Sequence, residues 1–207
     1  MSETEIRKAI EAERRDLADV LAGLDESAWD RPSLCAGWRV REVVAHITMA
    51  YRMSLPKFAL EMARSRGDFN RMADRVARKD TARLSTADLA RSVQDNITHP
   101  WKPPGSGYEA TLGHDIIHGL DITVALGLDR RVPEDRLRYV LSDQTTKSIE
   151  FFGADLDGLE LRADDMDWTF GSGTPLTGHA QDLLLVQCGR KLPAGHLRGA
   201  AADRFTS

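Results

Sequence analysis

Two histidines four residues apart, His114 and His118, lie in Thr111-Leu112-Gly113-His114-Asp115-Ile116-Ile117-His118-Gly119-Leu120-Asp121, a stretch with the apolar spacing of a helix. At ~100° per residue, positions i and i+4 fall on one face about a turn apart, so both imidazoles can reach one divalent ion. A bare pair of this spacing is common, and a metal site needs a third donor. His46 can supply it. In Val40-Arg41-Glu42-Val43-Val44-Ala45-His46-Ile47-Thr48-Met49-Ala50-Tyr51, the residues Val40, Val43, Val44, Ile47 and Tyr51 repeat at helical spacing and put His46 at the margin of the apolar face. Three neutral imidazoles leave a further position open to water or substrate, the catalytic pattern. Zinc is the default ion, while nickel, iron and copper also accept imidazole. Such a site lowers the pKa of a bound water or thiol and polarises a carbonyl oxygen, so thiol activation and hydrolysis are both available. The competing reading makes the histidines hydrogen-bonded core residues with no metal, and then a chelator has little effect on stability.

Around this triad, His114, His118 and Asp121 project as a narrow polar stripe between Ile117, Val124 and Ile122. Polar groups bounded by aliphatics persist when paired or coordinated, which argues for an inward-facing pocket. Asp121 and Asp115 can orient imidazoles as hydrogen-bond acceptors or can simply be solvated, and Glu42, one turn before His46, has the same two readings. Trp38, directly before the His46 helix, can border the pocket. His99, ahead of a proline loop, can line its mouth. Cys35 has no dependable place on the His46 face, and His179 and His196, each beside a glycine, read as turn residues.

The elements that must position these groups are mostly helical. A charged amphipathic helix runs from Glu3 to about Leu24. A second, carrying His46, runs to roughly Ser54, and an Arg-rich stretch from Phe58 to Arg83 ends one helix and crosses to another. Ser85 caps a helix ending near Thr98, and the loop His99 to Gly107, with Pro100, Pro103 and Pro104, breaks the pattern. The histidine helix spans about Tyr108 to Leu126 and stops at Gly127, and another runs from Pro133 to about Glu150. Strand-like pieces then follow at Leu159–Arg162, Asp167–Phe170 and Pro175–Thr177, with a buried helix over Ala180–Val186. The fold class is therefore mainly α: a helical bundle over residues 1–152 and a small C-terminal α/β appendage over 153–207.

Composition narrows the function. The 207 residues suffice for a real core, and a net charge of -4 from 28 basic and 32 acidic residues, intermixed, gives no basic stripe for a nucleic-acid backbone. No apolar run reaches the ~18 residues of a membrane span, and the amphipathic N-terminus is not a signal peptide. Cys35 and Cys188 match neither a disulfide framework nor a zinc knuckle, so a reducing cytoplasm is the natural compartment.

The segment Leu34-Cys35-Ala36-Gly37-Trp38-Arg39-Val40-Arg41-Glu42-Val43-Val44-Ala45-His46 resembles a signature of the mycothiol-dependent maleylpyruvate isomerase family, a branch of the DinB-like metalloenzymes. His118-Gly119-Leu120-Asp121-Ile122 with Leu126-Gly127, and Asp167-Trp168 with Gly178, Leu183-Leu184-Leu185 and Gly189-Arg190, resemble its later motifs. The resemblance implies a DinB-like four-helix bundle and a metal on His46, His114 and His118, with histidine at 114 where that family often has glutamate. It implies mycothiol as the thiol cofactor, and isomerisation of, or S-transfer to, an electrophilic small molecule. It also implies that Arg190 binds a substrate carboxylate, although an arginine there can equally cap the preceding helix. The expected site is thus His46, His114 and His118 for the metal, Trp38 and Arg190 for the cofactor, and Arg190 and Asp121 for catalysis. The expected partners are a small-molecule thiol and an electrophile, with no nucleic acid and no membrane, in a monomer or homodimer. A non-catalytic protein that sequesters or senses a thiol conjugate is the alternative.

Overall fold

The computed structural model of the chain describes residues 1–103 and 105–207, and at 146 and 147 the backbone alone. Pro104, the last proline of the loop read from the sequence, lies outside the described residues. The chain divides into two compact units, Met1–His118 and Gly119–Ser207. The fold class is the expected one, a mainly helical bundle followed by a small α/β region.

In the first unit, α1 (Glu3–Ala22) is started by a Ser2/Glu5 capping box, and α2 (Val40–Arg52) by the carboxylate of Glu42 folding back on the Arg39 backbone. The Arg-rich stretch forms two helices, α3 (Leu55–Arg64) and α4 (Phe69–Thr81), and α5 (Thr86–Gln94) begins at the expected Ser85 cap. Helix α1 packs on α5, α2 on both α4 and α5, and α3 on α4. The apolar faces that do this are those the periodicity marks: Ile6, Ile10, Leu17 and Leu21 on α1, and Val40, Val43, Val44 and Ile47 on α2, all buried. Between α3 and α4 the carboxylate of Glu61, only 2% exposed, is surrounded by Arg75, Arg64 and Lys79.

Helix α5 ends at Gln94, earlier than the expected Thr98, because the chain turns over 95–98 and directs its carbonyls at Arg14 of α1. The guanidinium donates to the carbonyl oxygens of Asn96 (3.3 Å), Ile97 (3.4 Å) and His99 (2.7 Å). Helix α6 (Tyr108–Thr123) carries His114 and His118 and belongs to both units. It closes with Gly127 at φ +70° and the Leu128 amide on the Thr123 carbonyl.

In the second unit, the helix expected from Pro133 to Glu150 is two, α7 (Glu134–Asp143) and α8 (Thr146–Phe152). The Thr145 and Ser148 side chains form a capping box that starts a new helix where the first ends. Strands β1 (Leu159–Ala163), β2 (Thr169–Gly171) and β3 (Thr174–Gly178) match the three expected pieces. A two-residue β4 (Leu197–Arg198) was not expected. The sheet order is β2-β1-β3-β4, with β1 parallel to β3 and the outer pairs antiparallel. Helix α9 (Ala180–Gln187) is buried at every position and packs on β1 and β3, which explains its unbroken run of Leu and Val.

The link from β2 to β3 depends on Gly173, at φ +135°, where a side chain would collide with the carbonyl oxygen of Gly158. Gly173→Ala is expected to cost about 1–3 kcal/mol and to lower the melting temperature by several degrees, measured by thermal circular dichroism.

Candidate metal centre

Helices α2 and α6 deliver the three predicted histidines to one place. Donor nitrogens of His46, His114 and His118 all lie within 4.8 Å of one another. Nε2 of His114 is 3.4 Å from Nε2 of His46, and the ring centroids of His118 stand 4.9 Å from His46 and 4.7 Å from His114. His46 is buried, while His114 keeps 18% of its side-chain surface, so the cluster has a deep wall and an approachable edge.

The state of His114 follows from its neighbour. Nδ1 of His114 is 2.9 Å from Oδ1 of Asp115, and the other oxygen, Oδ2, accepts from Nε of Arg14 at 2.8 Å. Burial pushes the Asp115 carboxyl up, but the His114 hydrogen bond and the Arg14 charge outweigh it and hold the group below its ordinary pKa. Asp115 is therefore a carboxylate and can only accept, so Nδ1 of His114 carries a proton and Nε2 is the nitrogen left to face a metal. That nitrogen lies 3.4 Å from Nε2 of His46. Two nitrogens bound tetrahedrally to zinc at ~2.0–2.1 Å lie ~3.3–3.4 Å apart, so the donor set and its spacing fit a divalent ion.

Aromatic rings surround the cluster. Trp38 lies 5.2 Å from His46 by centroids, Phe69 6.5 Å from His46, and Trp101 5.5 Å from His114. Trp38 thus stands beside His46, and Nε1 of its indole donates to Oδ1 of Asp74 at 2.8 Å. The same oxygen accepts from Nε of Arg78, whose Nη2 donates to the Gly37 carbonyl, so α4 holds the loop preceding α2 at two points, Trp38 and Gly37. Trp101 represents the proline loop, which is tied to α6 by Thr111 Oγ1 donating to the Trp101 carbonyl at 3.2 Å. His99 packs on Tyr51, with ring centroids 5.0 Å apart, and its Nδ1 accepts from the Trp101 amide.

Glu42 does not orient His46. It is 1% exposed and bound by Arg39 through two guanidinium nitrogens and by the Thr81 hydroxyl, so its role is to start α2. Cys35, given no dependable place by spacing, has its Sγ 3.8 Å from Nδ1 of His118. The motif Leu34-Cys35-Ala36-Gly37-Trp38 was the signal that could have found it, since the turn that presents Trp38 presents Cys35 as well. The expected site names Asp121 and not Asp115, although Asp115 is the carboxylate on His114, and nothing in the sequence pattern points to Arg14. Its contacts with Asp115 and His99 span 101 and 85 residues of chain.

In the second unit, Asp121 is fully buried and paired with Arg190 through two hydrogen bonds, Nε to Oδ1 at 2.8 Å and Nη2 to Oδ2 at 3.0 Å. Nη1 of Arg190 also donates to the Cys188 carbonyl. His179, at the start of α9, sits against Asp164 and Asp165, and Nδ1 of His196 lies 3.1 Å from Oδ2 of Asp182.

Residues 10–99 match the family model described as the mycothiol maleylpyruvate isomerase N-terminal domain. Two crystal structures of mycothiol-dependent maleylpyruvate isomerase are similar in fold. One, of a histidine-to-alanine mutant, has 13% identity and a TM-score of 0.62, and the other 14% and 0.55. Each alignment covers 98% of this chain and 94% of the other. No curated protein sequence matches the chain significantly.

Both thiols are buried, Cys35 against His118 and Cys188 at the end of α9. Burial, opposed by the Arg190 charge and reinforced by that of Asp121, pushes the Cys188 thiol up to about 12. Cys188 is expected to resist iodoacetamide at pH 8 in the native protein and to react only after denaturation, read by peptide mass spectrometry.

Proposed function

We propose, from the match of residues 10–99 to the model of the mycothiol maleylpyruvate isomerase N-terminal domain, that this protein is a metal-dependent enzyme acting with a low-molecular-weight thiol. The observation that carries the reading is the convergence of His46, His114 and His118, with Nε2 of His114 turned into the cluster and its Nδ1 held by Asp115. A divalent ion on these three residues, zinc by default, would lower the pKa of a bound thiol such as mycothiol. The reaction proposed is isomerisation of an electrophilic small molecule such as maleylpyruvate, in which the thiolate adds, the adduct rotates about the former double bond, and the thiol leaves. S-transfer, which stops at the adduct, is the variant outcome.

The chain's own residues do the rest. Asp115 keeps the proton on Nδ1 of His114 and so decides which nitrogen donates. Trp38, Phe69 and Trp101 form apolar walls that exclude water, with Trp38 proposed to flank the thiol cofactor. Arg190 is the proposed carboxylate binder. Its guanidinium is already oriented by Asp121 and by the Cys188 carbonyl, so little rotamer freedom remains to be lost on binding. The proposed setting is the cytoplasm, and among the described residues no helix is long and apolar enough to cross a membrane.

The test is elemental analysis of protein purified without a metal-affinity tag, followed by an assay with mycothiol and maleylpyruvate. The expected result is about one transition metal per chain, lost in both His114→Ala and His118→Ala, with isomerisation falling at least ~100-fold in each. Metal-free wild type that takes up neither zinc nor nickel would sink the reading. Metal with thiol binding but no turnover would leave the sequestering protein in its place.

A further inference from the structure

The site reading accounts for the proton on His114 through Asp115, but Asp115 is itself a buried charge that needs a reason to stay put. It is 2% exposed, and the guanidinium that meets it, Arg14, is 1% exposed. We infer that Arg14 is a positioning residue for metal binding, acting through Asp115 to hold the His114 ring and tautomer from a different helix. This rests on the metal reading above and adds to it a residue of α1 that touches none of the three histidines.

The geometry gives Arg14 one available pose. Nε donates to Asp115 Oδ2, Nη1 is shared among the carbonyls of Asn96, Ile97 and His99, and the guanidinium carbon lies 5.3 Å from the centroid of the Tyr51 ring. A planar fork fixed at three places can present Nε in only one direction, so the carboxylate it binds is fixed as well. Asp115 then has one oxygen committed to Arg14 and the other to Nδ1 of His114. Without Arg14, the buried carboxylate would keep the His114 hydrogen bond alone of its two and would rotate or recruit another donor. A lysine at 14 could keep the charge but not the fork, because an ammonium cannot serve the carboxylate and the three carbonyls in this arrangement.

The test measures zinc affinity by chelator competition, the absorption bands of the cobalt-substituted protein, and the melting temperature of the metal-free form. The proteins are wild type, Arg14→Met, Arg14→Lys, Asp115→Asn and the double variant Arg14→Met/Asp115→Asn. Leu17→Ala, in the buried face of the same helix, serves as a purely structural control. Arg14→Met is expected to weaken zinc binding about 10–100-fold and to shift the cobalt bands, with partial recovery in Arg14→Lys. The double variant should bind no more weakly than the worse of its two parents, because both changes break one relay. Leu17→Ala should lower the melting temperature and leave affinity alone. The inference is overturned if Arg14→Met binds zinc as wild type does, if its loss adds fully to that of Asp115→Asn, or if Leu17→Ala loses as much. Should Arg14→Met fail to fold, the cycle of Arg14→Lys with Asp115→Asn decides by the same criterion. Wild type that takes no zinc overturns the metal reading, and this inference with it, whereas zinc binding indifferent to Arg14 overturns this inference alone.

Discussion

A guanidinium taken out of water needs partners for its donors, and Nε and Nη1 of Arg14 find them on two other pieces of chain. It joins α1 to the turn after α5 through backbone carbonyls and to α6 through Asp115. Desolvating such a pair costs several kcal/mol per ion, so the arrangement stands only while every partner is in place. The requirement works in both directions. It ends α5 early by turning carbonyls inward, and it fixes the carboxylate that decides the proton on His114. A feature of the hydrophobic bundle thereby sets the chemistry of one nitrogen in the site.

The rest of the site is shaped by shared anchors. Asp74 accepts from both Trp38 and Arg78, and Arg78 also holds the Gly37 carbonyl, so the loop carrying Cys35 and Trp38 is set by α4 before α2 begins. Trp101 arrives from the proline loop by a hydrogen bond to α6 itself. The histidines thus sit among rings whose positions depend on polar contacts at their backs. This lets the inner faces stay apolar and raises the strength of any charge interaction inside.

Helical period made much of this legible in the sequence. The spacing of His114 and His118, the placement of His46 at the edge of an apolar stripe, and the cap at Ser85 are local patterns, and the structure brings the three histidines together. What escaped were contacts between residues far apart in sequence: Arg14 with Asp115, Trp38 with Asp74, and Cys35 with His118. No periodicity encodes them, because they depend on how helices meet. Glu42 kept two readings in the sequence for a related reason. Its place one turn from His46 is consistent with orienting that ring, but the Arg39 side chain and backbone are nearer claimants. The break between α7 and α8 was written in the Thr145/Ser148 box, which helix-forming neighbours on either side obscured. Two-residue β4 is defined by its pairing with β3 and has no pattern of its own.

Glu61 carries a consequence for how this sequence can change over time. One buried carboxylate faces Arg75, Arg64 and Lys79, so the cationic side is redundant and the acidic side is not. Drift can remove a single cation from the group and leave the charge compensated, whereas losing the carboxylate leaves three cations crowded together without a counter-ion. Tolerance to mutation at the α3–α4 junction is therefore lopsided. Within that limit the outer face of α3, where Leu55 and Leu60 are exposed, is open to variation because little packs against it. A helix whose inner face is Glu61 with Phe58 and Met62 packed on the Met49–Met72–Val76 cluster is a place where the outer surface can evolve while the histidine cluster is left untouched.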